Sequence, residues 1–238
     1  DRVRVLLGGI LEYSSDEIER TLVSMLNEFE QQLFKYAEQA RNNMVQIRWL
    51  EAQRLVKRTR PDLVPRFLIA LEAELACIKD PPGAKVPTAT FRNPRGELSL
   101  VENMDMDEAT VLAEISSRAE VRNSLPLYLL GQRFGVVAGK PAFDAENLPI
   151  GPQALCRVMR AAVAAVFEID LDSQLLLYKA FDHKVMAEYS NWIEVLNSLL
   201  AHEGVLPGLI YAPQRARSER SSTGGTRTES GFRHWSHA

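Results

Sequence analysis

The feature that most constrains this chain is a long stretch, Ser14 to about Arg58, that contains neither glycine nor proline. Those two residues are the strongest helix breakers, so their absence permits one unbroken helix. Ser14 followed three residues later by Glu17 forms a capping-box pattern, which predicts that the helix begins there. A helix over this range would be roughly 60–70 Å long, about twice the diameter of a small domain. We therefore expect the rest of the chain, or another molecule, to lie beside it.

An apolar stripe runs along this stretch at steps of three and four residues. Its period of about eleven residues keeps the stripe nearly parallel to the helix axis. The stripe consists of Ile18, Leu22, Met25, Phe29, Leu33, Tyr36, Ala40, Met44 and Ile47, and it is widened by Leu26, Val45, Trp49, Leu50 and Leu55. Two interpretations stay open: later helices of the chain cover the stripe, or part of it contacts a partner protein or a second copy.

The far end of the stretch combines an aromatic side chain with cations, Trp49, Arg54, Lys57 and Arg58. We take these four residues as the candidate interaction surface. Basic residues near a helix C-terminus are also favoured by the helix dipole, so they are weak evidence for nucleic acid.

The composition is that of an ordinary folded protein, with 46% hydrophobic and 25% charged residues in 238. A formal net charge of -3 argues against a nucleic-acid or anionic-membrane binder. The chain has neither a run of about eighteen apolar residues nor a signal-peptide pattern, so we predict a cytoplasmic protein without a membrane span. Cys77 and Cys156 lie far apart in apolar helical patterns and are expected to be buried thiols. The abrupt charged start without Met indicates a piece of a longer protein.

The remainder of the chain predicts further helices separated by proline- and glycine-rich connections. These helices cover about 67–78, 105–125, 127–139, 154–167 and 172–203, the last with Asp172 or Ser173 as its cap and Gly204 at its end. An irregular or short helical arm is expected before Ser14. The connection from Asp80 to Gly96 has four prolines and two glycines, and Glu97–Val101 is predicted to be a short strand or extended segment.

Taken together, these patterns predict an all-α fold: an elongated helical bundle built on one very long N-terminal helix and a long C-terminal helix. The helical domain is expected to span residues 1–212. Residues 213–238 are rich in Ser, Thr, Arg and Gly, and a composition so poor in apolar residues predicts a disordered basic tail or linker.

Three glycines at four-residue spacing, Gly131, Gly135 and Gly139, occur in the segment GQRFGVVAG. This segment lacks the Lys-Ser/Thr ending of a phosphate-binding loop, so we interpret the glycines as sites of close helix packing, with Gly139 as a helix stop. Arg133 beside them and Arg122 are the candidate contacts for a small ligand.

No coherent catalytic or metal-binding set emerges from the remaining residues. His183 and His202 are too far apart on the last predicted helix to hold one metal ion, and His183 is expected to be exposed. Asp105, Asp107 and Glu108 fit the first turn of a helix better than a calcium loop, which needs further ligands at fixed offsets. We therefore predict no catalytic residue, metal or cofactor, and whether the chain is an enzyme stays open with a preference against it.

Two blocks of sequence carry a resemblance to a known family: Gly96–Ala109 (GELSLVENMDMDEA) and Arg122–Ala162, which contains LGQRFGVVAG and LPIGPQALC. These blocks resemble the bacterial domain-of-unknown-function family 1631, whose members are large proteobacterial proteins. The resemblance extends over about residues 3–213 and implies that this chain is an N-terminal part. The family offers no agreed catalytic residues, so the resemblance implies none here.

The leading hypothesis from the sequence is a non-enzymatic regulatory or scaffold module that binds another protein or itself. The first alternative is a domain that senses a small ligand or nucleotide, including cyclic dinucleotides, in the region from Arg122 to Pro152. The second alternative is an unrecognised enzyme.

Overall fold

The computed structural model describes residues 2–79 and 98–209, and the regular elements in that part of the chain are helical. The α-helices are α1 (Arg2–Gln39), α2 (Asn43–Thr59), α3 (Leu63–Ala76), α4 (Leu98–Arg122), α5 (Ser124–Ala138), α6 (Pro152–Val166), α7 (Leu171–Phe181) and α8 (Ala187–His202). Short 3-10 turns lie at Arg60–Asp62 and Cys77–Lys79, and a π-helical turn at Asp182–Met186 joins α7 to α8. The all-α class, with a very long first helix and a long last helix, is confirmed.

The predicted unbroken helix from Ser14 to Arg58 is wrong in its start and in its continuity. α1 begins at Arg2, and residues 40–42 form a turn before α2. Asn42 has extended backbone (φ -122°, ψ 131°), and its side-chain oxygen accepts a hydrogen bond from the Met44 amide at 2.9 Å. Asparagine is a favourable N-cap, so this turn ends one helix and begins another without glycine or proline.

Ser14 does not cap a helix, which corrects the capping-box prediction. It is fully buried inside α1, and its hydroxyl accepts a hydrogen bond from the indole N–H of Trp192 on α8 at 3.2 Å. Glu17 pairs with Arg20 rather than with the backbone of Ser14. The segment before Ser14, expected to be an irregular or short arm, is a regular part of α1.

α7, the π turn and α8 form one nearly continuous helical run that lies along α1 in the opposite direction. Near one end, Arg2 donates to the main-chain oxygen of Glu203 at 2.6 Å. Further along, Lys184 pairs with Glu28 at 3.0 Å. The predicted long C-terminal helix is therefore confirmed, and it covers one side of α1.

The start of this helical run differs from the prediction by two or three residues. The cap is Asp170, whose carboxylate accepts from the Ser173 amide at 3.1 Å, and not Asp172 or Ser173. A carboxylate at this position satisfies an amide that has no partner within the helix.

α2 folds back along α1 as an antiparallel hairpin. The rings of Tyr36 and Trp49 lie 5.3 Å apart, and the side-chain amide of Gln53 donates to the main-chain oxygen of Glu30 at 3.4 Å. Arg60, just after α2, forms an ion pair with Glu30 at 2.5 Å. Residues later in α2 thus lie beside residues earlier in α1.

α6 is the central helix of the remaining bundle, and it packs against both α3 and α4. Arg157 pairs with Glu74 of α3 at 3.4 Å, and Arg160 pairs with Glu108 of α4 at 3.1 Å. Ala154, near the start of α6, is fully buried.

The glycines of α5 face the loop that follows it and not another helix, which corrects the packing prediction. A Cβ atom on Gly131 would lie 2.2 Å from the main-chain oxygen of Phe143, and one on Gly135 would lie 2.9 Å from the Cα of Ala142. The loop after α5 therefore folds back directly onto the helix. Gly139 ends α5 in the left-handed conformation with φ 67°, as the predicted stop requires.

The strand predicted at Glu97–Val101 is wrong, because α4 already begins at Leu98. The helix predicted from about Asp105 therefore starts earlier than expected. The predicted proline-rich connection Asp80–Gly96 and the predicted tail 213–238 lie outside the described residues.

Candidate interaction surface on the α1–α2 hairpin

The apolar stripe is covered over most of α1 and bare where the hairpin turns. Ile18, Leu22, Met25, Phe29 and Leu33 are all buried. Around the turn, five large apolar side chains keep much of their surface: Phe34 (46% exposed), Tyr36 (44%), Met44 (73%), Val45 (36%) and Ile47 (41%). We call these five residues the hairpin tip. Single exposed apolar residues are ordinary, whereas a group of them in one place is typical of an interaction site.

Trp49 lies beneath the hairpin tip and is only 8% exposed. Its ring packs against Tyr36 at 5.3 Å between centroids, and the guanidinium carbon of Arg48 lies 5.4 Å from its centroid. Trp49 therefore holds exposed neighbours in place and presents little surface of its own. Its predicted part in an interaction stays a prediction, and the structure gives it a supporting position.

The outer face of α2 is formed by side chains at steps of three and four residues, Met44, Ile47, Glu51, Arg54 and Arg58. This spacing places them on one side of a helix. We call these five residues the α2 face. The predicted surface residues Arg54, Lys57 and Arg58 are all exposed.

The cations of this region fall into two groups. Arg48 pairs with Asp170 at 3.1 Å and with Asp172 at 2.8 Å. Arg54, Lys57 and Arg58 form no ion pair with an acid of residues 2–79 or 107–209. These three cations are therefore not neutralised by the acids of those residues.

A shallow groove of about 310 Å³ runs beside the α2 face. One wall is formed by Arg48, Glu51 and Leu55 of α2, and the other by residues 168–170 before α7. A second depression of about 210 Å³ continues past Glu51 and Leu55 to Arg54 and Arg58. Because both are lined by solvent-facing side chains of mixed polarity, they suit the side chains of a docked protein better than an enclosed small ligand.

The two candidate ligand contacts lie in different surroundings. Arg133 is buried (4% exposed), and burial lowers the pKa of its guanidinium. Its Nη1 donates to the side-chain oxygen of Asn197 at 2.5 Å, and Nε donates to the main-chain oxygen of Val205 at 3.3 Å. These contacts give Arg133 a structural position at the end of α8. Arg122 is exposed at the last residue of α4, where a ligand can reach it.

The other reactive side chains do not converge on one site. His183 is exposed, as predicted, and lies 3.2 Å from a carboxylate oxygen of Glu28. Cys156 is buried as predicted, and burial raises the pKa of its thiol to about 12. Cys77 is exposed, so the prediction that it is buried is wrong. In the described part of the chain, no group of three or more His, Cys, Asp or Glu could hold a metal ion.

The family model described as protein of unknown function (DUF1631), N-terminal domain, matches residues 2–204. The chain belongs to the DUF1631 family. The match runs from the start of α1 to just past α8, so the resemblance found in the sequence is confirmed. No curated protein and no solved structure matches the chain. Among the described helices of this DUF1631 domain, none combines the length and apolar character needed to cross a bilayer.

Sequence reasoning missed Phe34, the one residue of the hairpin tip that lies off the predicted stripe. The position of the turn was also missed. The signal that could have located it is the doublet Asn42-Asn43, because asparagine favours helix caps over helix interiors. With the turn placed there, the flanking apolar residues would have been recognised as the end of a hairpin.

Proposed function

We propose that this DUF1631 domain is a non-enzymatic helical module with a regulatory or scaffolding role in a bacterial cytoplasmic protein. The hairpin tip and the adjoining α2 face are its docking surface for protein. The observation that carries the proposal is that five large apolar side chains are exposed around the hairpin turn, whereas the stripe residues from Ile18 to Leu33 in α1 are buried.

The energetics support a docking role for this surface. Full burial of a large apolar side chain contributes about 1.5–3 kcal/mol. Met44 is 73% exposed and the other four members of the tip are 36–46% exposed, so each retains roughly a third or more of that potential gain. Arg54, Lys57 and Arg58 add charge beside the apolar centre, where it favours encounter and orientation over raw affinity. The combination suits a specific contact of moderate strength.

Site-specific photo-cross-linking tests the proposal. A benzoylphenylalanine residue at Met44 is expected to form a discrete covalent adduct with protein when cells expressing the chain are irradiated. The matched control is the same probe at Val121 on α4, which is 77% exposed and lies outside the docking surface. Adding Ile47→Glu to the Met44 probe chain is expected to lower the adduct yield.

The contrast between the two probe positions decides the outcome. Equal yields from Met44 and Val121, or no adduct from Met44, would contradict a docking role for the hairpin. Circular dichroism of each probe chain verifies that the helical content is unchanged.

A further inference from the structure

We propose that the protein docked at the hairpin is a second copy of this chain. In the dimer, α2 of each copy lies along the N-terminal half of α1 of the other copy. This inference rests on the proposed function, since it names the partner of the same surface. It is carried by a match in charge and spacing between two exposed helix faces.

The first face lies on the N-terminal half of α1. Glu12, Asp16 and Glu19 are exposed there, at steps of four and three residues, and therefore on one side of the helix. None of these three acids pairs with a cation in the described part of the chain. Val5 (72% exposed) and Val23 (39% exposed) lie on the same side. The face is thus acidic at its centre and apolar at both ends.

The second face is the α2 face, and its spacing matches the first. Fourteen residues separate Met44 from Arg58 on α2, and fourteen separate Val5 from Glu19 on α1. When the two helices lie parallel in this register, apolar Met44 meets apolar Val5, and Arg58 meets Glu19. Arg54, one turn before Arg58 on α2, then lies next to Asp16 on α1.

A glycine lies where the two helices must approach closely. In this register Ile47 falls opposite Gly8, and nothing lies within 4 Å of the position that a Cβ atom on Gly8 would occupy. A bare helix backbone lets a neighbouring side chain come close, as small residues do at other helix interfaces. Gly8 therefore provides the space into which Ile47 packs.

The alignment of α2 against α1 within one copy is compatible with a two-fold symmetric dimer. Arg60 donates to the side-chain oxygen of Asn27 at 2.9 Å, so Arg58 lies roughly level with Asn27 on α1. A two-fold axis that passes beside α1 at the level of Val23, midway between Asn27 and Glu19, carries Arg58 of one copy to Glu19 of the other. The same axis carries Met44 at the far end of the hairpin to Val5.

An isologous contact of this kind is self-complementary and closes at two copies. Val23 lies level with the axis, where the two contacts of the dimer adjoin. The acidic face on α1 of each copy then lies against the basic residues of the α2 face of the other copy, so the charge pairing occurs twice in the dimer.

The first experiment measures the mass of the purified full chain by light scattering and its association by analytical ultracentrifugation. The wild type is expected to be a dimer. Arg54→Glu with Arg58→Glu, and separately Asp16→Lys with Glu19→Lys, are each expected to weaken association by at least about tenfold, because each creates like-charged contacts twice per dimer. An equimolar mixture of the two variants is expected to dimerise again, since each reversed face then finds an opposite charge.

The second experiment tests the position of the axis. In a Cys77→Ser background, the double variant Val5→Cys with Met44→Cys is expected to form disulfides between two copies under mild oxidation, because the register places these two positions opposite each other. The control, Val5→Cys with Val121→Cys, moves the second cysteine to an equally exposed position on α4, and is expected to give no covalent dimer. The register also sets Glu51 near Glu12, so Glu51→Gln is expected to tighten the dimer about twofold or more.

Three results would overturn the inference: a wild-type chain that stays monomeric at 100 μM or so, variants whose mixture does not dimerise, or a Val5→Cys, Met44→Cys chain that cross-links no better than the Val5→Cys, Val121→Cys control. A Met44 photo-adduct whose mass is not twice that of the chain would also reject self-association. That last result leaves the proposed docking function standing, whereas the absence of any Met44 adduct rejects both.

Discussion

The buried guanidinium of Arg133 gives the sharpest test of how the C-terminal end of the bundle is held. Arg133→Met keeps most of the aliphatic volume but removes every donor. The substitution leaves the side-chain oxygen of Asn197 without its 2.5 Å partner, and the main-chain oxygens of Val205 and Leu206 without contacts at 3.3 and 3.5 Å. A hydrogen bond to a charged group contributes about 1.5–3 kcal/mol, and the two longer contacts add less. We expect the free energy of unfolding to fall by about 2–4 kcal/mol.

Urea denaturation followed by circular dichroism measures this change, with Arg122→Met as the matched control. Arg122 is exposed at the end of α4, so its replacement is expected to alter the free energy of unfolding by less than about 0.5 kcal/mol. A loss below about 1 kcal/mol for Arg133→Met, or equal losses for both variants, would refute the structural role of the Arg133 contacts. Arginine at position 133 would then be better explained by the ligand hypothesis.

Two further predictions concern stability. Gly131→Ala is expected to lower the free energy of unfolding by about 2 kcal/mol or more, because the new Cβ would lie 2.2 Å from a main-chain oxygen. Gly9→Ala in α1 places its Cβ where nothing lies within 4 Å, and it is expected to stabilise the fold by up to about 1 kcal/mol. Urea midpoints that move in the same direction for both variants would contradict this. Burial raises the pKa of Glu28, but hydrogen bonds from Lys184 and His183 outweigh it, so the net pKa is lowered. A carboxylate with a lowered pKa stabilises the fold above its unfolded pKa of about 4.3, and that contribution is lost as the pH falls through the folded pKa. Unfolding curves between pH 6 and 3 should therefore show a steeper loss for wild type than for Glu28→Gln, and parallel losses would contradict the assignment.

The helical class and most helix positions could be predicted because apolar spacing and helix stops are local properties. Gly139 ended a helix where the sequence placed the stop, since only a residue without a side chain adopts that left-handed conformation easily. These features depend on residues close together in the chain.

The errors arose where a distant residue decides between two locally reasonable conformations. Ser14 and Glu17 satisfy a capping pattern, but the hydroxyl of Ser14 bonds Trp192, 178 positions away in the chain. The turn at residues 40–42 contains no strong helix breaker. It is stabilised by contacts across the hairpin, such as that of Tyr36 with Trp49, which the sequence does not reveal.

The same reasoning explains why the stripe is bare at one end only. Arg48 of α2 pairs with Asp170 and Asp172, which ties the hairpin to the first turn of α7. α7 begins at Leu171 and runs back along α1, so α7 covers α1 only up to about the level of the hairpin turn. The end of α1 therefore reaches the edge of the bundle, where Phe34 and Tyr36 stay exposed. The length of α1, more than its composition, is what leaves this apolar surface exposed.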